Sequence, residues 1–148
     1  MKINPLVRRG QSGFTLIEVL IAVIIVGVLL AVALPSFMDS MRKGRRSEAF
    51  AAMAALQQAQ ERFRSSNTTY STALPSGIAS PTAPSGYYTL SVVSASATGY
   101  EILADGAGST QANDGNCSRL GVKVEGGSVQ YASGTSLTYA DTNPCWSR

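Results

Sequence analysis

One uninterrupted apolar run near the N-terminus constrains this chain more than any other feature. Residues 14–34 read FTLIEVLIAVIIVGVLLAVAL, a run of 21 residues with a single charge at Glu18. As an α-helix the run is about 31 Å long, which is enough to cross the hydrocarbon core of a bilayer. A short basic segment containing Lys2, Arg8 and Arg9 precedes it. The run therefore predicts a helix that is covered by a membrane or by other protein helices.

The helical pattern continues beyond the apolar run. Met53 and Leu56 recur at helical spacing in an alanine-rich stretch, so residues 36–64 read as an amphipathic continuation. We expect one helix over residues 14–64. It should bend near Pro35, because proline removes a backbone hydrogen bond and crowds the preceding turn.

The composition changes after the helix, where Ser, Thr, Gly and Pro favour an irregular loop over residues 65–86. Four segments then read as strands, and they pair as two hairpins with a Gly126-Gly127 turn in the second. The segments are residues 87–93, 100–104, 120–125 and 128–131. So small a sheet needs the apolar side of the helix to complete a core. The sequence therefore predicts an α+β fold, in which a long N-terminal α-helix packs on a small antiparallel β-sheet head at residues 65–148.

The chain has two cysteines, Cys117 and Cys145, and they enclose the second hairpin in a loop of 29 residues. A disulfide there would stabilise the head by about 3.5 kcal/mol through loop closure, and would indicate an exported domain. Two free buried thiols are the alternative. Trp146 follows directly, and we expect it to anchor the core of the head.

The residue types present argue against an enzyme. The chain has no histidine, and two cysteines are too few for a structural zinc site. We find no catalytic triad, phosphate-binding loop or metal cluster in the sequence, and we expect no cofactor and no metal. The segments at Asp105 and at Asn113-Asp114 look superficially like calcium loops but lack the ligand series of an EF-hand, so turns explain them better.

The N-terminal run allows three interpretations. A secretory signal peptide would be cleaved at Ala31-Val32-Ala33 and would leave Leu34 as the new N-terminus, but the apolar run is longer than such peptides usually carry. A plain membrane anchor is the second interpretation. Basic residues flank the run on both sides and do not set its orientation, whereas a disulfide would place the C-terminal part outside the cytoplasm.

The third interpretation comes from the junction Gly13-Phe14-Thr15-Leu16-Ile17-Glu18. A short basic leader ends in Gly13, Phe14 follows, and Glu18 stands four positions later at the start of the apolar helix. Pro35 lies at the spacing typical of pilins. This pattern resembles the processing motif of type IV prepilins, closely over about the first 40 residues. The remaining architecture resembles the family's small or minor pilins of the type IVa kind.

The resemblance implies a processing and assembly route. Residues 1–13 would be a leader removed after Gly13 by the prepilin peptidase, and Phe14 would then be N-methylated. Residues 14–35 would hold the subunit in the bacterial inner membrane, with its N-terminus cytoplasmic, and later form the filament core. The inner-membrane assembly machinery would polymerise it with like and unlike pilin subunits into an extracellular pilus. Such filaments serve adhesion, twitching motility or DNA uptake.

Physical chemistry independently suggests why a carboxylate stands at Glu18, near the start of the apolar run. A carboxylate inside an apolar run costs a few kcal/mol in a membrane, and Glu18 shares a helix face with Phe14. A free amine at Phe14 would be the natural partner for Glu18 of a neighbouring subunit. The alternative is local, because Thr15 and Glu18 fit a capping box and Glu18 could reach the membrane interface.

The formal net charge of +3 equals the charge of the leader, since the remaining acidic and basic residues balance. A basic run stands after the helix bend: Arg42, Lys43, Arg45 and Arg46. We interpret it as a solvated face near lipid headgroups, or as a partner for Asp39, Glu48 or neighbouring subunits, because no aromatic residues interleave it. A DNA-binding minor pilin is therefore a weakly supported alternative, and a pseudopilin of type II secretion is another.

Overall fold

The structure, a computed structural model, describes residues 13–74 and 82–146. Over these ranges the chain forms one helix of 49 residues, α1 (Leu16–Arg64). Four strands follow: β1 (Thr89–Ala95), β2 (Gly99–Asp105), β3 (Arg119–Glu125) and β4 (Ser128–Ser133). Two short 3-10 turns, Thr110–Asn113 and Gly115–Cys117, connect β2 to β3. The predicted α+β class, with a long N-terminal helix and an antiparallel sheet, is confirmed.

The chain divides after Met38 into two compact units, and α1 contributes to both. In the first unit the large apolar side chains of α1 are exposed, from 49% at Leu30 to 79% at Leu16, and Phe14 just before the helix is 83% exposed. Within the described residues α1 is the one helix long and apolar enough to cross a membrane. Pro35 lies inside α1, and the bend expected there stays a prediction.

The second unit contains the sheet, whose strands follow one another in the order β1-β2-β3-β4 with every pair antiparallel. Both predicted hairpins are present. Gly126 and Gly127 connect β3 to β4 with φ of 59° and 86°, values that glycine adopts without strain. β1 begins at Thr89, two residues later than expected, and the carbonyl of Tyr88 just before it accepts from the backbone N–H of Ala83 at 2.8 Å.

One side of α1 packs on this sheet within the second unit. Ala49, Met53 and Leu56 are at most 1% exposed and recur at helical spacing. The sheet residues in the same cluster are Leu90, Tyr100, Ile102, Ala104, Leu120 and Val122. These side chains alternate along their strands, so a single face of the sheet is turned toward the helix.

Gln60 departs from the apolar pattern of the helix and is fully buried. Its Nε2 donates to the carbonyl of Ser71 at 2.9 Å, and its Oε1 accepts from the backbone N–H of the same residue at 2.9 Å. Both polar ends of the amide are therefore satisfied by one backbone unit, which removes the cost of burying them. This pair holds the loop that leaves α1 against the helix.

The outer face of the sheet is partly covered by the C-terminal segment, residues 134–146. Ala140 and Tyr131 of β4 exchange backbone hydrogen bonds of 3.0 and 2.8 Å. The ring of Tyr139 lies across Gly121 of β3, and its hydroxyl donates to Oε1 of Glu101 at 2.6 Å. A Cβ at Gly121 would lie 2.7 Å from that hydroxyl oxygen, so glycine is needed there to let the ring cross the sheet.

Candidate assembly site and an arginine clamp

Thr15 caps the start of α1. Its Oγ1 accepts from the backbone N–H of Glu18 at 3.3 Å, and its carbonyl accepts from Glu18 and Val19 at 3.1 and 3.3 Å. This is the threonine half of the expected capping box, and it explains why the helix begins at Leu16. Because the cap uses the backbone N–H of Glu18, the carboxylate of Glu18 takes no part in the hydrogen bond to Thr15.

Phe14 and Glu18 border one shallow groove on the first unit. The groove has a volume of about 400 Å³, and its other walls are the apolar side chains Val19, Ala22, Val23 and Val26. The spacing places the five side chains from Glu18 to Val26 along one face of α1, and Phe14 stands just before the helix. The structure thus brings Phe14 and Glu18 together on a surface of otherwise apolar character, as predicted from their spacing.

Gly13 stands just before this groove, where a Cβ would meet no atom within 4 Å. Nothing in the described part of the fold therefore requires glycine at this position. A role in recognition by a processing enzyme would account for it instead. That role, and the assembly roles expected for Phe14, Thr15 and Glu18, stay predictions.

The basic run lies on the second unit, where two of its arginines hold the loop between β2 and β3 against α1. Nε of Arg46 lies 2.9 Å from Oδ2 of Asp114, and both side chains are largely buried. Nη1 of Arg45 donates to Oγ1 of Thr110 at 2.7 Å, and its guanidinium lies 3.7 Å from the ring centre of Tyr87. We call this set of contacts the arginine clamp.

Gln111 is the buried centre of the arginine clamp, and no part of its side chain is exposed. Its Nε2 donates to the hydroxyl of Tyr88 at 3.1 Å and to Oδ2 of Asp114 at 3.3 Å, and its Oε1 accepts from Arg45 at 3.4 Å. Such a network favours one position of the loop, because each displaced group would lose its buried partner.

The other two basic residues of the run, Arg42 and Lys43, contribute less to the arginine clamp. Arg42 pairs with Asp39 at 2.9 Å on the same helix, as the sequence predicted for the run. Lys43 is exposed. The sequence interpretation missed the long-range contacts of Arg45 and Arg46, which reach 65 to 71 residues along the chain. The spacing of i, i+3 and i+4 that reveals helix pairs carries no signal for such contacts.

Burial raises the pKa of Asp114 above its ordinary value, although Arg46 and then Arg42 act in the opposite direction. The folded chain therefore binds this proton more tightly than the unfolded chain does. The resulting stability is present at low pH and is lost as the pH rises through the raised pKa.

We expect Asp114→Asn to reveal this dependence. The difference in free energy of unfolding between wild type and variant should shift in favour of the wild type as the pH falls from 7 to 4, because the variant has no proton to bind. Urea unfolding of both chains in detergent, followed by Trp146 fluorescence across that pH range, measures it. A difference that stays constant with pH would contradict the expectation.

Cys117 and Cys145 form a disulfide, with Cα atoms 5.6 Å apart. The predicted pairing is confirmed, and the alternative of two free thiols is wrong. Trp146, the single tryptophan of the chain, packs beside it with ring centres 4.6 Å from Phe50 and 4.7 Å from Tyr131. Its Nε1 donates to the carbonyl of Ala132 at 3.0 Å, so it serves as the anchor that the sequence suggested.

The two calcium-like segments have other partners. Asp105 lies 3.1 Å from Nε of Arg119, and Asp114 belongs to the arginine clamp. Across residues 13–74 and 82–146 no group of three or more side chains is arranged to hold a metal ion.

Two family models match this chain, and together they cover most of its length. Residues 8–34 match the prokaryotic N-terminal methylation motif. Residues 35–121 match the family described as type IV minor pilin ComP, DNA uptake sequence receptor. The boundary between the two matches falls at the end of the apolar run.

Curated relatives agree with these matches. The type IV major pilin protein PilE1 of Neisseria gonorrhoeae is 32% identical over 130 residues, which cover 86% of this chain and 60% of the relative. PilA, the type IV major pilin protein of Myxococcus xanthus, is 44% identical over 71 residues, or 48% of this chain and 32% of the relative. Core protein G of the type II secretion system of Aeromonas hydrophila is 34% identical over 65 residues, or 44% and 46%. The chain thus spans less than two thirds of the length of each.

Proposed function

Because this chain belongs to the type IV pilin family, we propose that it is a structural subunit of a type IV pilus, cleaved after Gly13, N-methylated at Phe14 and polymerised through α1. The observation that carries the proposal is the match of residues 8–34 to the methylation motif, which includes an exposed apolar helix face bordered by Phe14 and Glu18. An apolar face of this size is stable only when a bilayer or neighbouring helices cover it.

Pairing between subunits explains the charge in that face. Cleavage after Gly13 creates a cationic amine at Phe14, and a second subunit displaced along the filament axis can place its Glu18 beside that amine. Each charge is costly in apolar surroundings, and the pair offsets both costs. The groove beside Phe14 and Glu18 supports this arrangement, because it lets a neighbouring helix approach the carboxylate.

The route to the filament follows from the same features. The precursor rests in the bacterial inner membrane with its basic leader on the cytoplasmic side, where the prepilin peptidase and the assembly machinery act on it. The second unit lies outside the cytoplasm, in keeping with its disulfide. Like and unlike pilin subunits are its partners in the filament, whose roles are adhesion, twitching motility or DNA uptake.

The mass of the mature N-terminus tests this function most directly. We expect the chain recovered from surface filaments to begin at N-methylated Phe14. A chain that begins at Leu34 would instead indicate an ordinary signal peptide, and a chain that keeps residues 1–13 in the membrane would indicate a plain anchor. Either result would overturn the proposal.

Recognition of DNA is a second candidate, supported by the family match over residues 35–121. Charge on the described part of the sheet gives it little support, because Arg119 lies 3.1 Å from Asp105 and Lys123 lies 2.7 Å from Glu125. Binding of the full chain in detergent to a duplex carrying a DNA uptake sequence, beside a scrambled duplex at two salt concentrations, decides it. Preference for the uptake sequence would support a receptor role, whereas equal or absent binding would remove it.

A pseudopilin of type II secretion is the third candidate, favoured by the match to core protein G. Deletion in the source organism distinguishes it from the first. Loss of a secreted protein with normal pili would favour the pseudopilin, and loss of pili with normal secretion would favour the pilus subunit.

A further inference from the structure

The two sulfurs of the Cys117–Cys145 disulfide have different surroundings. Nη1 of Arg46 lies 3.3 Å from Sγ of Cys117 and donates toward it. Arg46 reaches Asp114 through a different nitrogen, Nε, so the contact with sulfur and the contact with the carboxylate coexist. A guanidinium beside one sulfur stabilises negative charge on that atom and not on its partner.

Cys145 has a different neighbour, a groove of about 780 Å³ between α1 and the C-terminal segment. We call it the disulfide groove. The residues that line it are Lys43, Arg46, Ser47, Phe50, Ala51, Ala54, Pro144 and Cys145. Cys117 is not among them. The groove is large enough for a peptide-sized reagent, and its basic wall of Lys43 and Arg46 favours an anionic one.

We infer that this disulfide is polarised for exchange with an external thiol, which enters the disulfide groove, attacks Sγ of Cys145 and expels Cys117 as a thiolate beside Arg46. The inference stands independently of the function proposed above. In thiol–disulfide exchange the sulfur that leaves is the one whose thiolate is better stabilised. The contact with Arg46 makes Cys117 the better leaving sulfur, and the disulfide groove is the route by which a reagent reaches Cys145, which is itself only 5% exposed.

The electron count of the exchange is simple. An external thiolate forms a bond to Sγ of Cys145 as the bond between Cys145 and Cys117 breaks, and the electron pair leaves on Sγ of Cys117. A second thiol of the reagent then attacks the mixed disulfide and releases Cys145. The chain gains two electrons, and the reagent, a dithiol or two equivalents of a monothiol, is oxidised to a disulfide.

Reduction would loosen the C-terminal segment without detaching it. The hydrogen bonds between Tyr131 and Ala140 and the bond from Trp146 to the carbonyl of Ala132 do not involve sulfur. The Cys117–Cys145 bond is thus a covalent cross-link to a segment that hydrogen bonds also hold in place. A reversible change of redox state at the surface of the second unit is the consequence.

The site of attack provides the first test. The full chain in detergent micelles is treated with reduced glutathione, quenched at intervals with N-ethylmaleimide, and mapped by peptide mass. We expect glutathione on Cys145 and the maleimide on Cys117. Glutathione on Cys117, an even division between the two, or no adduct before the chain unfolds would each overturn the inference.

The rate of reduction in Arg46→Gln provides the second test. A merely structural role for Arg46 predicts faster reduction, because the loss of its contact with Asp114 loosens the loop. Loss of charge stabilisation at the leaving sulfur predicts slower reduction, by about three- to tenfold. The opposite signs separate the two roles, and a rate equal to or above that of the wild type would contradict the inference.

Two matched variants complete the comparison. Arg46→Lys keeps a cation near Cys117 and should retain most of the wild-type rate. Arg45→Gln removes a neighbouring arginine whose contacts are Thr110, Gln111 and Tyr87 and not sulfur, so its reduction should not slow. Slowing by Arg45→Gln to the same extent as by Arg46→Gln would overturn the specific role of Arg46.

Discussion

Filaments should disappear when Glu18 is replaced by alanine, while cleavage after Gly13 and insertion into the membrane continue. The proposed partner of Glu18 is the amine of Phe14 on a neighbouring subunit, and without the carboxylate that amine would be buried alone. Breaking a buried pair in this way costs about 3–5 kcal/mol at each interface. A loss of that size lowers each subunit association by roughly a hundredfold or more.

The measurement is electron microscopy of surface filaments, together with immunoblots that separate precursor from mature subunit. Leu20→Ala is the matched control, because Leu20 is also exposed on α1, at 50%, but lies away from the groove that Phe14 and Glu18 border. It should still assemble. Normal filaments from Glu18→Ala would contradict the pairing of Glu18 with the amine of Phe14. The cap at Thr15 would then be the role that remains for this helix start.

Removal of the disulfide is expected to have the second large effect. The double variant Cys117→Ser with Cys145→Ser should lower the free energy of unfolding by about 3.5 kcal/mol, because the open loop adds chain entropy to the unfolded state. That loop contains both β3 and β4. The variant therefore weakens the half of the sheet that carries the C-terminal segment.

Urea unfolding of the full chain in detergent, followed through the fluorescence of Trp146, measures the loss. The wild-type chain treated with a reductant is the matched control and should agree with the double variant to within experimental error. A loss below about 1 kcal/mol would show that the hydrogen bonds and aromatic contacts of residues 134–146 hold the segment without the covalent bond.

Much of the fold could be predicted because its signals are local. The apolar run and the cap at Thr15 predict the start of α1, and alternation with a Gly126-Gly127 turn predicts the second hairpin. The disulfide followed from a different kind of argument. A small sheet with two cysteines flanking a hairpin gains more from a bridge than from two buried thiols.

The contacts that position the loop between β2 and β3 could not be predicted in this way. Arg46 and Asp114 are far apart in sequence, and each has a satisfactory local interpretation, as part of a charged helix face or of a turn. Gln111 looks like an ordinary polar residue in a loop, yet it is fully buried. Only the folded chain shows that these three side chains meet.

The candidate assembly site, too, could be predicted only in part from the sequence. Its two central residues are four positions apart on one helix, so the sequence alone places Phe14 and Glu18 on the same face. What they contact in a filament depends on other subunits, and no pattern within one chain specifies the axial displacement between neighbours. The proposed pairing therefore rests on charge and on the apolar face around it, and Glu18→Ala is its test.

The order of the strands has a consequence for how fast this protein can acquire its structure. Every strand in the described sheet pairs with its neighbour in sequence. Two of the pairings close short hairpin turns and the β2–β3 pairing closes a longer connection over residues 106–118, so the loss of chain entropy stays modest. Such a topology has low contact order, and low contact order accompanies rapid folding. We expect the strand pairings of the β1–β4 meander to form early in folding. Docking of α1 residues 39–64, which requires contacts across most of the chain, would follow as the slower step.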